Sequence, residues 1–482
     1  MWMRKKVKKS FRALFHPTLL FVMPGDAEDE VDDGSDPRYV VCKSLRYVAP
    51  YDKTLRARVT ARRSGSLLDV LKNQIGTWSG FQTRANADDA THWREELDRG
   101  RVRVVLDATR ALPVGGEPKE SMWTTPGLDV ATTAGSLVEY SRHVHERVVA
   151  SDVPRVIHEE HAIGLVVVEK PGGVPCHAGV GPGWEGYNNA VRLVGTDETS
   201  GGALGKRRRR CSREHEESEE SDAAAGDARR RVWAVNRIDA PVSGVWLCAT
   251  STKARSRLQK WMAKTHSHGK TYLARVHGAL ETPEGGLVID APLIKDKETS
   301  LALVRPLSEG GKPCRTRVFA LERSNTDDTT LVAVQLELHG RYHQIRAHLR
   351  SIGHPIANDD AYNDVVPEAE RTPPTYAGYA YDDDESGTLR RMLESRARDD
   401  CPECAALLAA VSDRNLHSTL QPAGKSIWLH ALRYAFSVDG RVVDCSSNVL
   451  PAFAAQLLPE ASRTVTAVLA RIPTSAKPLE PN

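Results

Sequence analysis

Four short segments carry groups that could do acid–base or phosphate chemistry. Asn236-Arg237-Ile238-Asp239-Ala240-Pro241-Val242-Ser243-Gly244 offers one carboxylate next to an arginine, and a single placed carboxylate can act as a nucleophile or take a proton. The plain alternative is a turn built from Asp, Pro, Ser and Gly. Gly269-Lys270-Thr271-Tyr272-Leu273-Ala274-Arg275-Val276-His277-Gly278 puts Tyr272 on a strand-like run, where a tyrosine more often packs than reacts. Gly340-Arg341-Tyr342-His343-Gln344-Ile345-Arg346-Ala347-His348-Leu349, followed by Gly353-His354-Pro355-Ile356-Ala357-Asn358-Asp359, sets Arg346 and Arg350 one helical turn apart, a pattern that also suits a solvated face. Glu169-Lys170-Pro171-Gly172-Gly173-Val174-Pro175-Cys176-His177 reads alone as a loop.

Each segment sits at the end of an apolar element that would position it. Residues 164–169 and 245–250 are short apolar runs that predict buried strands, and 270–278, 315–322 and 331–338 predict three more. Ser251 or Thr252 caps a helix whose Ala254, Leu258, Trp261 and Met262 form one stripe. A second helix is expected over 343–351, with Ile345, Leu349 and Ile352 inward and Gly353 at its stop. The class is mixed α/β and strand-rich.

The chain has 482 residues, a prior of about three domains. Counting Gly and leaving out Tyr brings the apolar share to roughly 45%, which excludes a disordered chain, a collagen and a coiled-coil rod. Eight cysteines are too sparse for a disulfide scaffold and point to a reducing compartment. No stretch reaches the roughly 20 apolar residues of a membrane span, so a soluble chain with no membrane partner is expected. The net charge of +3 says little by itself. Arg4, Lys5, Lys6, Lys8, Lys9 and Arg12 form a basic start that suits either a targeting segment or an arm on RNA phosphate. Residues 196–231 alternate blocks of Arg and Glu with few apolar groups, and 365–425 is rich in Pro, Asp and Arg; both read as insertions. The expected organisation is a tail over 1–36, an N-terminal extension over 37–150, a main domain over 151–450 and a C-terminal tail over 451–482. Cys401-x-x-Cys404 lacks a second Cys pair at finger spacing; His143 and His145 alternate on one face of a strand and would be needed to complete a zinc site, so the expectation is metal-free.

Taken in order, the four segments resemble the RluA family of RNA pseudouridine synthases, whose pattern runs K-P-x-G-x-P-x-H, H-R-L-D-x-x-T-S-G, K-x-Y-x-A-x-V-x-G and G-R-x-H-Q-I-R-x-H with G-H-P-I and a later L-H-A, here Leu429-His430-Ala431. Flanks such as Arg46-Tyr47-Val48-Ala49-Pro50-Tyr51, His143-Val144-His145-Glu146-Arg147-Val148-Val149 and Cys401-Pro402-Glu403-Cys404 resemble the eukaryotic branch, the tRNA anticodon-loop type. Two positions depart: Asn236 stands where the family has His, and Val242 where it has Thr. The resemblance implies a catalytic pseudouridine synthase domain over 151–450, with an antiparallel central sheet and flanking helices, and RNA binding by the extension over 37–150. It implies Asp239 as the catalytic carboxylate, Tyr272 stacking on a flipped uracil and assisting proton transfer, and Arg346 pairing with Asp239. Arg237 would enter the RNA stack, and Lys170, Arg341, His343 and Gln344 would contact RNA. Further phosphate contacts are expected from Arg56, Arg58, Arg62, Arg63, Lys253, Arg255, Arg257, Lys260 and Lys264. No metal or organic cofactor is implied, and a monomer is expected. The substrate is expected first in the tRNA anticodon loop, with rRNA or mRNA hairpins satisfying the same physics. Cytoplasm, mitochondrion and nucleus all stay open. The competing reading is an inactive RNA-binding or ribosome-assembly scaffold, motivated by Asn236 and Val242.

Overall fold

A computed structural model of the chain describes residues 39–42, 45–60, 64–75, 90–106, 118–177, 188–194, 232–264, 269–338, 340–363, 383–412, 426–438 and 441–473. The basic start, Arg62, Arg63 and the insertion at 196–231 lie outside the described residues.

A ten-stranded sheet runs in the spatial order Leu287–Asp290, Arg315–Arg323, Thr329–Leu338, Lys270–His277, Leu429–Val438, Ser243–Ala249, Leu165–Lys170 and Arg155–Glu160, with Trp233–Ala234 and Arg441–Ser446 attached at its side. Leu165–Lys170 is apolar almost throughout because both of its faces are covered. The alternation within Thr329–Leu338 sorts two cores. Val332 and Val334 share one with Leu258 and Met262 of the helix Thr252–Lys264 and with Ile345 and Leu349 of the helix Gln344–Ser351. Leu331 and Ala333 share the other with Leu273, Phe453, Leu458, Val468 and Ile472. Successive strand residues face opposite sides, so helices cover both faces of the sheet. Each fully buried side chain of this kind contributes about 1.5–3 kcal/mol. Residues 452–472 therefore form a packed layer, where sequence suggested a tail: the two short helices Ala452–Ala455 and Val465–Ala470 bring the apolar groups.

The sheet is antiparallel, as expected, at every pairing but one. Ser243–Ala249 runs parallel to Leu429–Val438, with Ser243 opposite His430 and Gly244 opposite Ala431. A parallel pair needs a long crossover, and most of the domain lies between these strands. Gly244 has φ +105°, and a Cβ there would collide with the Ala431 carbonyl oxygen, so only glycine fits this junction.

The N-terminal extension builds its own core. Tyr51–Arg58, Leu137–Val144 and Val102–Val105 form a sheet, and Leu67, Leu71, Ile75 and Trp93 pack beneath it. Glu139, buried in that sheet, is held by Arg56 at 2.6 Å and Arg103 at 2.9 Å. Arg56 thus pairs with the buried Glu139 while its own side chain stays 41% exposed. Within 365–425, the helices Asp383–Arg396 and Pro402–Ser412 pack Leu389, Met392, Leu393, Ala410 and Val411 on Leu45, Tyr47, Ala49 and Val148. The same approach carries Cys401 and Cys404 to His143 and His145, a convergence that sequence spacing did not supply. Among the described residues no helix is long and apolar enough to cross a membrane.

Candidate active site

Asp239 sits on the loop that leads into Ser243–Ala249, and its neighbours hold that loop from several sides. Asn236 accepts the Leu247 N–H on its side-chain oxygen and the Trp246 indole N–H on its backbone oxygen, both at 3.0 Å. The Val242 N–H closes a turn onto the Asp239 carbonyl at 3.0 Å, and the Val242 side chain is buried in the core. Lys170 is 0% exposed. Its Nζ donates to the carbonyls of Pro171 at 2.7 Å, Val174 at 2.6 Å and Ala240 at 3.1 Å. Burial lowers its pKa to about 8. Lys170 is therefore placed as a brace of the Asp239 loop, and its expected RNA contact does not fit a charge sealed among carbonyls.

The helix Gln344–Ser351 supplies the next group. Ile345 and Leu349 face the core as the spacing predicts, but the opposite face is not solvated. Arg346, with a side chain 6% exposed, donates Nε and Nη2 to Asp359 at 2.5 and 2.7 Å in a bidentate pair. Its Nη1 reaches Asp239 Oδ2 at 3.8 Å and His343 Nε2 at 2.9 Å. The Arg346–Asp239 pairing is thus the looser of two, and Asp359 is the closer partner. His343 stands in the left-handed region at φ 50°, with Nδ1 3.0 Å from the Tyr362 hydroxyl. Burial and the charges of Arg346 and Lys295 push its pKa down to about 3, so it is a neutral imidazole. Its Nε2 then accepts from Arg346 and its Nδ1–H donates to Tyr362. Gln344 is buried, accepting the Arg341 N–H at 2.9 Å and donating to Thr316 Oγ1 at 3.0 Å. Both side chains expected on RNA hold the site's framework instead, because their polar atoms are already bonded inward.

Asp239 is 27% exposed. Burial pushes its carboxyl above the ordinary value, Arg346, Arg237 and Lys170 pull it back, and Asp359 adds to the push. Tyr272 lies in the strand paired through Ala431 to the parallel junction. Its hydroxyl is 2.9 Å from that of Tyr434, and burial raises its pKa to about 12. The charge of Asp239 adds to that rise. Leu429-His430-Ala431 thus supplies the strand between the Asp239 loop and Tyr272.

A cleft of about 790 Å³ opens over Asp239, lined by Arg237, Arg255, Lys270, Arg341, Tyr342 and Trp233. Four cations surround one carboxylate. Arg237 is exposed there, and Lys253, Arg257 and Lys260 are exposed on the same helix as Arg255. Asp359, Tyr362 and Tyr434 were not singled out from sequence. Asp359 had a signal, since it ends the Gly353-to-Asp359 segment, whereas the tyrosines stand outside every motif.

With this geometry in place, the family model for RNA pseudouridylate synthase matches residues 164–351, the span that holds Asp239, Tyr272 and Arg346. Over residues 164–351 the chain is thus similar to the RNA pseudouridylate synthase domain. Its relatives include the tRNA pseudouridine(32) synthase, mitochondrial, of Saccharomyces cerevisiae, 26% identical over 69% of this chain and 58% of that protein. The dual-specificity RNA pseudouridine synthase RluA of Vibrio parahaemolyticus is 38% identical over 27% of this chain and 50% of that protein. The chain therefore spans about half the length of the curated relatives it matches. A solved human protein, RNA Pseudouridylate Synthase Domain Containing 1, aligns over 68% of this chain and 97% of its own at 16% identity and a TM-score of 0.39.

Proposed function

We propose that this chain isomerises a uridine in RNA to pseudouridine, with Asp239 as the catalytic carboxylate. The carrying observation is the Asp239 carboxylate in a basic cleft, flanked by Arg346 at 3.8 Å, with the strand of Tyr272 paired through Ala431 to the junction that the Asp239 loop enters. In this reading the bond from C1′ of the ribose to N1 of uracil breaks, the base turns, a bond from C1′ to C5 forms, and the C5 proton ends on N1. Asp239 acts at the ribose, as nucleophile or in proton abstraction. Tyr272 stays protonated at neutral pH, so it stacks on the flipped base and passes a proton along its hydroxyl contact with Tyr434 without serving as an anion. Arg346 aims Asp239 and keeps it ionised. Arg237 fills the gap left by the flipped base, whose unstacking costs a few kcal/mol. Arg255, Lys270 and Arg341 meet phosphates.

The substrate we infer is a uridine of the tRNA anticodon stem-loop, following the flanking segments and the yeast relative's name. A mitochondrial address is the reading that this name and the basic segment over residues 4–12 support. The scaffold alternative rests on Asn236 and Val242, yet both positions still brace the Asp239 loop. Pseudouridine maps of tRNA and rRNA, with and without the gene, test the substrate. Loss of one tRNA site is expected; persistence of every tRNA site with loss of an rRNA site would overturn the tRNA assignment alone.

A further inference from the structure

We propose that His143, His145, Cys401 and Cys404 bind one zinc ion that fastens the helices Asp383–Arg396 and Pro402–Ser412 to the N-terminal sheet, apart from the catalytic cleft. The four ligand atoms all lie within 4.8 Å of one another. His143 Nε2 is 3.2 Å from Cys404 Sγ, His145 Nε2 is 3.2 Å from Cys401 Sγ, and His145 Nε2 is 3.5 Å from Cys404 Sγ. Tetrahedral zinc with bonds of about 2.3 Å to sulfur and about 2.0–2.1 Å to nitrogen sets neighbouring S and N ligands about 3.6 Å apart. These three sulfur–nitrogen pairs thus stand within a few tenths of an ångström of tetrahedral spacing before any ion is added. Two thiolates and two imidazoles select zinc over oxygen-seeking cations such as magnesium or calcium.

The surroundings are those of a metal site. Asp52 Oδ1 lies 2.9 Å from His143 Nδ1, so Nδ1–H donates to the carboxylate and Nε2 is left bare toward the sulfurs, the carboxylate–histidine arrangement of metal centres. Arg398 holds Asp52 from the other side at 3.1 Å. The Arg398 backbone N–H donates to Cys404 Sγ at 3.4 Å, as suits a thiolate. The His143 side chain is 5% exposed and Cys404 is buried, which suits a closed structural site with no open position.

Topology says what the ion does. The histidines end the strand Leu137–Val144, and the cysteines open the helix Pro402–Ser412. His145 and Cys401 are 256 positions apart in sequence. Apart from this cluster, the two helices hold the extension mainly through the small core around Leu389, Leu393 and Tyr47. A cross-link with two ligands from each side adds the ion's binding energy to that docking.

The test uses the untagged full chain purified under reducing conditions, with zinc quantified by elemental mass spectrometry. About one zinc per chain is expected, and the paired change Cys401→Ser with Cys404→Ser should cut it at least about tenfold. Cobalt exchange into the unaltered chain should give a thiolate-to-cobalt charge-transfer band and the strong visible bands of a tetrahedral site, which decides the matter even if the variant fails to fold. Zinc far below one per chain with no cobalt spectrum would overturn the proposal, and so would full zinc retained in the double variant or a Cys401–Cys404 disulfide in reduced protein.

Discussion

At the residue scale, the site turns on how one carboxylate is held. Burial raises the Asp239 pKa, so the ionised form that the chemistry needs appears only above the ordinary carboxylate value of about 3.9. The rate should therefore climb with pH along a limb displaced upward from that value, and a limb at or below it would mean another group controls the rate. The sign for stability is the reverse. A carboxyl with a raised folded pKa favours folding fully below its unfolded pKa and loses that contribution as pH rises through the folded pKa. Asp239→Asn should thus hold or raise the melting temperature at neutral pH, which thermal unfolding checks. Asp359 is 2% exposed and paired twice with Arg346. Asp359→Ala strands a buried guanidinium, and denaturant unfolding should show a loss of about 3–5 kcal/mol, together with loss of turnover. A change under about 1 kcal/mol would show the pair to be dispensable.

At the scale of elements, the parallel junction between Ser243–Ala249 and Leu429–Val438 sets the site. Gly244→Ala should cost at least about 2 kcal/mol, because strain at positive φ adds to the collision with Ala431, and an unchanged denaturation midpoint would show that the junction can shift. Sequence periodicity located the strands and both helices near the cleft, since Leu258, Ile345 and Leu349 bury as their spacing requires. It gave neither the Leu429 strand nor its parallel pairing, because pairing partners far apart in sequence leave no local pattern. It also misjudged Lys170, Gln344 and His343: a polar side chain in a motif looks the same whether it meets RNA or braces a loop, and only burial separates the two. Asp239, Tyr272 and Arg346 were legible through their ordered motifs, whereas Tyr434 and Tyr362 entered the site by tertiary contact alone. His143 and His145 meet Cys401 and Cys404 for the same reason, across a distance that spacing rules for metal sites do not span.

At the scale of the whole molecule, the proposed function assigns binding to one basic cleft and chemistry to one carboxylate, so the two should be separable. Arg255 lines the cleft from the helix Thr252–Lys264, an element separate from the Asp239 loop. Arg255→Ala should weaken RNA binding across sequences and reduce the slope of log affinity against log salt by about 1; an unchanged slope would remove Arg255 from the phosphate path. The separability also gives the most direct measurement. The full chain and its Asp239→Asn variant are each incubated with an anticodon stem-loop tRNA transcript, and pseudouridine is quantified by mass spectrometry alongside RNA affinity. Stoichiometric pseudouridine is expected at one position for the unaltered chain, with none above background for the variant and affinities within about twofold of each other. Pseudouridine formed by the Asp239→Asn variant at a rate near that of the unaltered chain would contradict the role assigned to Asp239.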